Sequence, residues 1–156
     1  MITVLASVVA VIGTLIGSWS TYAFQRRAAA RTRAEAWEER LRQERLSAYS
    51  AYAGAVTELK RAQITLWFRS RSTPRDEESV MTAQLESDRL GAAAETAVFR
   101  LRLVADDPVL RPLMEPISAA LGEIKRAGDR RTVIAIEARF EEAVGAFLDS
   151  AALRLR

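Results

Sequence analysis

From Met1 to Gln25 the chain carries no Asp, Glu, Lys or Arg, and the stretch from Ile2 to Phe24 is 23 residues long. At about 1.5 Å per residue, a helix of that length spans a hydrocarbon core of roughly 30 Å. The pattern then inverts: RTRAEAWEERLRQER is strongly polar, with Glu38 and Arg42 four apart in the favourable order. This segment reads as a solvated helical stalk. Trp37 and Leu41 hint at a coiled-coil seam, which Glu44 interrupts. Apolar positions return as a helical stripe at Tyr49, Tyr52, Val56, Leu59, Gln63 and Leu66, with Ala48, Ala55 and Ala62 beside it.

The segment RSRSTPRDEES breaks the pattern. Thr73 before Pro74, with acids at 76–78, predicts an N-cap, a proline at the first helical position and a dipole-compatible first turn. A second helix is expected to run to about Val104, with Ala83, Ser87, Leu90, Ala94, Ala97, Leu101 and Val104 inward and Gly91 permitting close packing. Asp106-Asp107-Pro108 reads as a further stop and start. Pro108, Pro112 and Pro116 then imply one of two paths. Either the next helix kinks at Pro112, or a short turn precedes a helix opened by Pro116. Leu113, Ile117, Leu121 and Ile124 keep a helical stripe, Gly128 should end it, and Asp129 should cap the last helix. That helix is cleanly periodic through Val133, Ile136, Phe140, Val144, Phe147, Ala151 and Leu155, with Glu137, Glu141 and Glu142 largely off the face. No segment alternates with period two. The expected fold is all-α: a transmembrane helix over residues 1–25, a basic collar and stalk over 26–45, and an antiparallel three- to four-helix bundle over 46–156.

Charge settles how the first helix is read. Arg26, Arg27, Arg31 and Arg33 follow the apolar stretch with no acid among them, while no Lys or Arg precedes it. A cleaved export signal needs the reverse order and small residues at the cut, and Thr21-Tyr22-Ala23 is a poor cleavage site. A retained anchor is therefore expected, ahead of a cleaved signal or a buried soluble helix. The positive-inside rule places the N-terminus outside and the bundle in the cytoplasm of a single-pass membrane protein. These four arginines hold four positive charges of a net +3, so the remainder of the chain stands at −1. The basic character is thus local, and no nucleic-acid partner is expected. Ala6, Ala10, Gly13 and Gly17 put small residues on one helical face, and the GxxxG step allows two anchors to approach closely in a homo-oligomer.

With neither His nor Cys, the chain lacks the commonest general base, the commonest metal ligand and every thiol function. There is no Gly-rich phosphate loop or nucleophile elbow. No catalytic residue, metal site or cofactor is expected. Glu38-Glu39 and Glu141-Glu142 read as solvated pairs, and Tyr49 and Tyr52 as core residues with wet hydroxyls, a ligand cavity being the alternative. Trp67 and Phe68 are adjacent and point about 100° apart on a helix, so both cannot face one core. Ordinary packing of the pair is the simpler expectation. A partner surface around whichever ring stays exposed is the sharper one.

GTLIGSWSTYAFQRRAAAR, then RLRQERLSAYSAYAGAVTELKRAQ with a tryptophan four residues on, then RLRLVADDP, together resemble the small single-anchor KilB-type plasmid spread proteins of streptomycetes and relatives. The likeness is best over the N-terminal two thirds. It implies a part in the spread of conjugative plasmids through recipient mycelium. None of its motifs is a catalytic signature, and it assigns no functional residue. The residues themselves point to an anchored, non-enzymatic bundle that binds an unknown protein partner. The alternative is a membrane-tethered ligand-sensing or regulatory bundle.

Overall fold

The computed structural model describes the backbone of residues 2–155 and the side chains of residue 33 and residues 35–155. Four helices follow one another: α1 (Ile2–Ser70), α2 (Glu77–Val104), α3 (Arg111–Ile124) and α4 (Arg130–Leu153). Among the described residues there is no strand. The chain divides into two units, Met1–Leu41 and Arg42–Arg156. The first is helical where it is described, and the second is the bundle. Among the described residues no helix is long and apolar enough to cross a membrane. The expected anchor over residues 1–25 lies outside the residues whose side chains are described.

Contacts across the bundle fix its direction of travel. Tyr49 and Tyr52 of α1 meet Phe147 of α4, whereas Lys60 meets Glu137 and Glu141. As α1 advances, α4 therefore recedes. Arg100 near the end of α2 donates to Ser47 of α1, and Thr65 shares a groove with Thr82, so α2 is also antiparallel to α1. Glu123 and Arg139 pair across the α3–α4 hairpin. The result is an up-down-up-down four-helix bundle.

Its core follows the helical stripes. Tyr52, Leu101, Leu110, Ile117, Ile124, Phe140 and Phe147 are fully buried, and Ala48, Ala94, Ala97, Ala120, Ala127 and Ala151 fill the narrow places between backbones. One position of the α1 stripe shifts: after Gln63 the buried residue is Trp67, while Leu66 is only half-buried. A four-residue step carries the indole onto the face that the expected three-residue step assigned to Leu66.

Four local expectations are corrected. Asp76, not Thr73, caps α2: its carboxylate accepts from the Ser79 N–H at 3.4 Å, and Glu77 and Glu78 occupy the first turn. Aspartate is at least as good a cap as threonine, and the acids beside it favour the positive end of the dipole. Neither path foreseen around the prolines is taken, because α3 starts at Arg111 with Pro112 in the first turn, where a missing N–H deprives no acceptor. Pro116 lies inside the helix, and the acceptor it fails to bond, the Pro112 carbonyl, belongs to an exposed residue. Gly128 has no positive φ, so no left-handed cap ends α3. The turn closes instead through Arg126 and Ala127 N–H groups bonded to Glu123 and Ile124 carbonyls. A Cβ at Gly91 would meet nothing within 4 Å, so that glycine serves no close approach. The Asp129 cap is as expected, accepting from the Thr132 N–H at 2.8 Å.

Sequence patterning misses one buried charge. Lys60 is buried, and its Nζ donates to Glu137 Oε1 at 2.8 Å and Glu141 Oε1 at 3.1 Å, with the Phe140 ring centroid 5.4 Å away. Glu141 and Glu142 are exposed, as expected, and Glu141 still reaches the buried ammonium. Burial alone would lower the lysine pKa, but the two carboxylate bonds outweigh it and leave the value raised. Tyr52 is also raised, to about 12, by burial, and its hydroxyl is buried without a partner rather than wet.

Replacing both Glu137 and Glu141 by Ala should destabilise the fold by about 2–3 kcal/mol, because it strands a buried ammonium. Lys60→Met should change stability by less than about 1 kcal/mol, since it removes the charge and keeps the volume. Both raised groups favour their protonated forms in the fold. Their stabilisation is present below the ordinary Lys and Tyr values and is lost as pH rises through the raised ones. Urea unfolding across the alkaline range should therefore show a shallower loss for Lys60→Met and for Tyr52→Phe than for the parent chain.

Candidate interaction surface

The last two turns of α1 carry the adjacent aromatics to opposite fates. Trp67 is 7 % exposed and Phe68 44 %. The Trp67 Nε1–H donates to the Ala127 carbonyl at 2.8 Å, and Arg71 Nη2 donates to the same oxygen at 2.9 Å. The Arg71 guanidinium lies 4.5 Å from the indole centroid, within cation–π range. Phe68 then packs edge-to-face on the indole, with centroids 5.0 Å apart and planes at 89°. A fixed indole thereby holds an exposed phenyl ring in place.

Beside this corner is a cleft of about 350 Å³ between α1, α2 and the end of α3. Gln63, Leu66, Trp67 and Arg71 line one side, with Val80 and Gln84 from α2 and Lys125 after α3 opposite. Gln63 is buried, and its Oε1 has no hydrogen-bond partner. An unsatisfied buried carbonyl costs about 1–3 kcal/mol, and this oxygen is closed off from solvent. The walls are apolar at Leu66 and Val80 and cationic at Arg71 and Lys125. These groups are suited to docking a side chain or a short segment.

A second cleft, of about 280 Å³, lies at the other end of the bundle. Arg45, Tyr49, Val104, Asp107 and Arg154 line it, and Asp107 pairs with Arg154 across it. Burial raises the Tyr49 pKa, with Asp107 adding to the rise and Arg45 and Arg154 opposing it. Burial acts against the Asp107 carboxylate, yet the Val109 N–H and the Arg154 guanidinium hold its pKa below the usual range. Tyr49 is consequently a neutral hydroxyl at physiological pH, able to bond a ligand but not to act as a base. Tyr52 is not among the residues that line this cleft.

Of the residues singled out in the sequence, Trp67 and Phe68 come together here. Arg33 is exposed. Ala6, Ala10, Gly13, Gly17, Arg26, Arg27 and Arg31 lie outside the described side chains. Sequence reasoning missed Arg71, Lys125 and Lys60. The chain has only two lysines among its many arginines, and that rarity was the available signal. Among the described residues no acidic cluster could hold a metal ion.

A protein-family model described as KilB plasmid transfer protein matches residues 46–155. No curated protein matches the chain, and no solved structure does.

Trp67→Phe should lower unfolding free energy by about 1–2 kcal/mol, because it deletes one buried hydrogen bond. Phe68→Ala should change it by less than about 1 kcal/mol, since the ring is largely wet. Gln63→Met, which replaces the orphaned amide by an apolar group of similar shape, should be neutral or stabilising by up to about 1 kcal/mol. Urea melts of the three variants give the comparison.

Proposed function

Since the chain belongs to the KilB plasmid transfer protein family, we propose that it serves plasmid spread as a non-enzymatic, membrane-anchored interaction protein. In this reading residues 1–25 form a single-pass anchor with the N-terminus outside. Arg26, Arg27, Arg31 and Arg33 hold the collar at the cytoplasmic face. Ala6, Ala10, Gly13 and Gly17 bring anchors together. Residues 26–45 form the collar and stalk, and residues 46–156 present the bundle to a protein partner. The observation that carries the reading is the corner at the end of α1. There an exposed Phe68 is held by a clamped Trp67, beside a cleft lined by Leu66, Val80, Arg71 and Lys125. Aromatic and arginine anchors beside a pocket are the usual centre of a protein interface.

The second cleft supports the other reading, a membrane-tethered ligand sensor. Tyr49, Arg45 and Arg154 there offer polar groups at a partly enclosed site. A ligand-dependent rise in melting temperature that Tyr49→Phe abolishes would favour it.

Two measurements test the main proposal. Because the chain has no cysteine, single Thr3→Cys and Ser79→Cys variants can be labelled with a membrane-impermeant maleimide in intact cells. Thr3→Cys should label directly and Ser79→Cys only after lysis. Direct labelling of Ser79→Cys would overturn the topology. Phe68→Ser should reduce plasmid spread while leaving the chain folded and abundant. Unchanged spread for both Phe68→Ser and Gln63→Met would remove this corner as the partner site.

A further inference from the structure

Charge is sorted around the end of α1. Arg71 and Lys125 both line the cleft beside Trp67, and none of its lining residues is acidic. A second groove between α1 and α2 is the reverse, with Asp76, Glu78 and Glu86 beside Arg69. The acids close to the two cations in sequence are engaged elsewhere. Asp76 caps α2 and Glu77 pairs with Arg75. Glu123 pairs with Arg139, and Asp129 caps α4. Asp88 accepts from the Gln84 amide at 2.9 and 3.0 Å and does not line the cleft.

Arg71 is exposed yet held in place. Its Nη2 donates to the Ala127 carbonyl at 2.9 Å, and its guanidinium lies 4.5 Å from the indole centroid. A guanidinium has five donors, so others remain for a second acceptor. Much of the cost of ordering this side chain is met before any ligand arrives. Leu66 and Val80 are half-buried in the same walls.

We propose that this cleft takes an acidic, aliphatic segment of a partner protein, an inference that rests on reading the corner as a protein-binding site. An Asp or Glu carboxylate of the segment lies between Arg71 and Lys125, and a neighbouring aliphatic side chain packs on Leu66 and Val80. The guanidinium fork matches the two oxygens of a carboxylate, and two unpaired cations repel a basic segment. Size and shape favour a chain segment over a free carboxylate. At about 350 Å³ the cleft is near the lower bound of ligand pockets, so it fits side chains rather than a whole helix. Phe68 stands outside it, packed on Trp67, and only an occupant that extends beyond the cleft can cover that ring. A phosphate backbone is disfavoured, because its binding draws on many cations. Here there are two, on a chain that stands at −1 once its four collar arginines are set aside.

The test is photo-cross-linking in cells that carry the full chain with benzoylphenylalanine in place of Phe68, an exposed ring of related shape. A protein adduct should form, and its acceptor segment should carry a carboxylate within about four residues of the link. Lys125→Arg should keep the adduct, and Lys125→Glu should cut it about tenfold. Lys125 is exposed, so Lys125→Glu should melt close to the parent chain. Changing the mapped acid of the partner to Lys should restore the adduct with Lys125→Glu, and a misfolded chain could not be rescued that way. Arg71 is left intact because it also holds Ala127. An adduct undiminished by Lys125→Glu, an acceptor segment without a carboxylate, or a failed rescue overturns the inference and leaves the corner as a partner site. A nuclease-sensitive adduct overturns it in favour of phosphate. Absence of any adduct from position 68 removes the corner itself, and the inference with it.

Discussion

The carbonyl of Ala127 accepts two hydrogen bonds from α1, one from the Trp67 indole and one from the Arg71 guanidinium. Ala127 lies in the turn between α3 and α4, so this one oxygen ties the α3–α4 hairpin to the end of α1. The tie sets the depth of Trp67, which sets where Phe68 emerges and how the neighbouring cleft closes. Both donors bond one buried oxygen, and the guanidinium also covers the indole face. The corner is therefore more rigid than a helix terminus held by apolar contact alone.

Earlier along α1 the partnership with α4 is electrostatic at Lys60, and before that, at Tyr49 and Tyr52, it is aromatic. Lys60 reaches Glu137 and Glu141, while Tyr49 and Tyr52 pack edge-on against Phe147. A buried ammonium with two acceptors tolerates little sliding along the helix axis. An alanine-rich core, which gains little area per residue, tolerates much more. Lys60 thus supplies the register between α1 and α4 that the small side chains around it do not. The orphaned Tyr52 hydroxyl beside that core shows that burial was favoured there over hydrogen-bond satisfaction.

Two surfaces of the bundle differ in kind. The α1 corner is concave and partly cationic. The outer face of α2 is exposed and apolar at Met81, Leu85, Phe99 and Leu103.

Much of this was legible along the chain. Period-3.6 stripes located the inner faces of α2, α3 and α4, and Asp129 marked the start of α4, because those signals are local. The strings around Arg40–Gln63 and Arg100–Pro108 carried the family resemblance for the same reason. What periodicity could not settle was which of two adjacent aromatics turns inward. That choice depended on an acceptor 60 residues away at Ala127. Nor could it show that Lys60, Glu137 and Glu141 meet, since two helices far apart in sequence had to be aligned first. The α2 cap moved from Thr73 to Asp76 because two plausible caps compete locally, and aspartate beside Glu77 and Glu78 suits the positive end of the helix dipole. The sequence by itself determined that this chain is helical, where its helices face inward, and that the basic charge is confined to one short segment. Only the tertiary structure decided which polar groups are buried together and which apolar ones are left outside, because both depend on what the opposite helix provides.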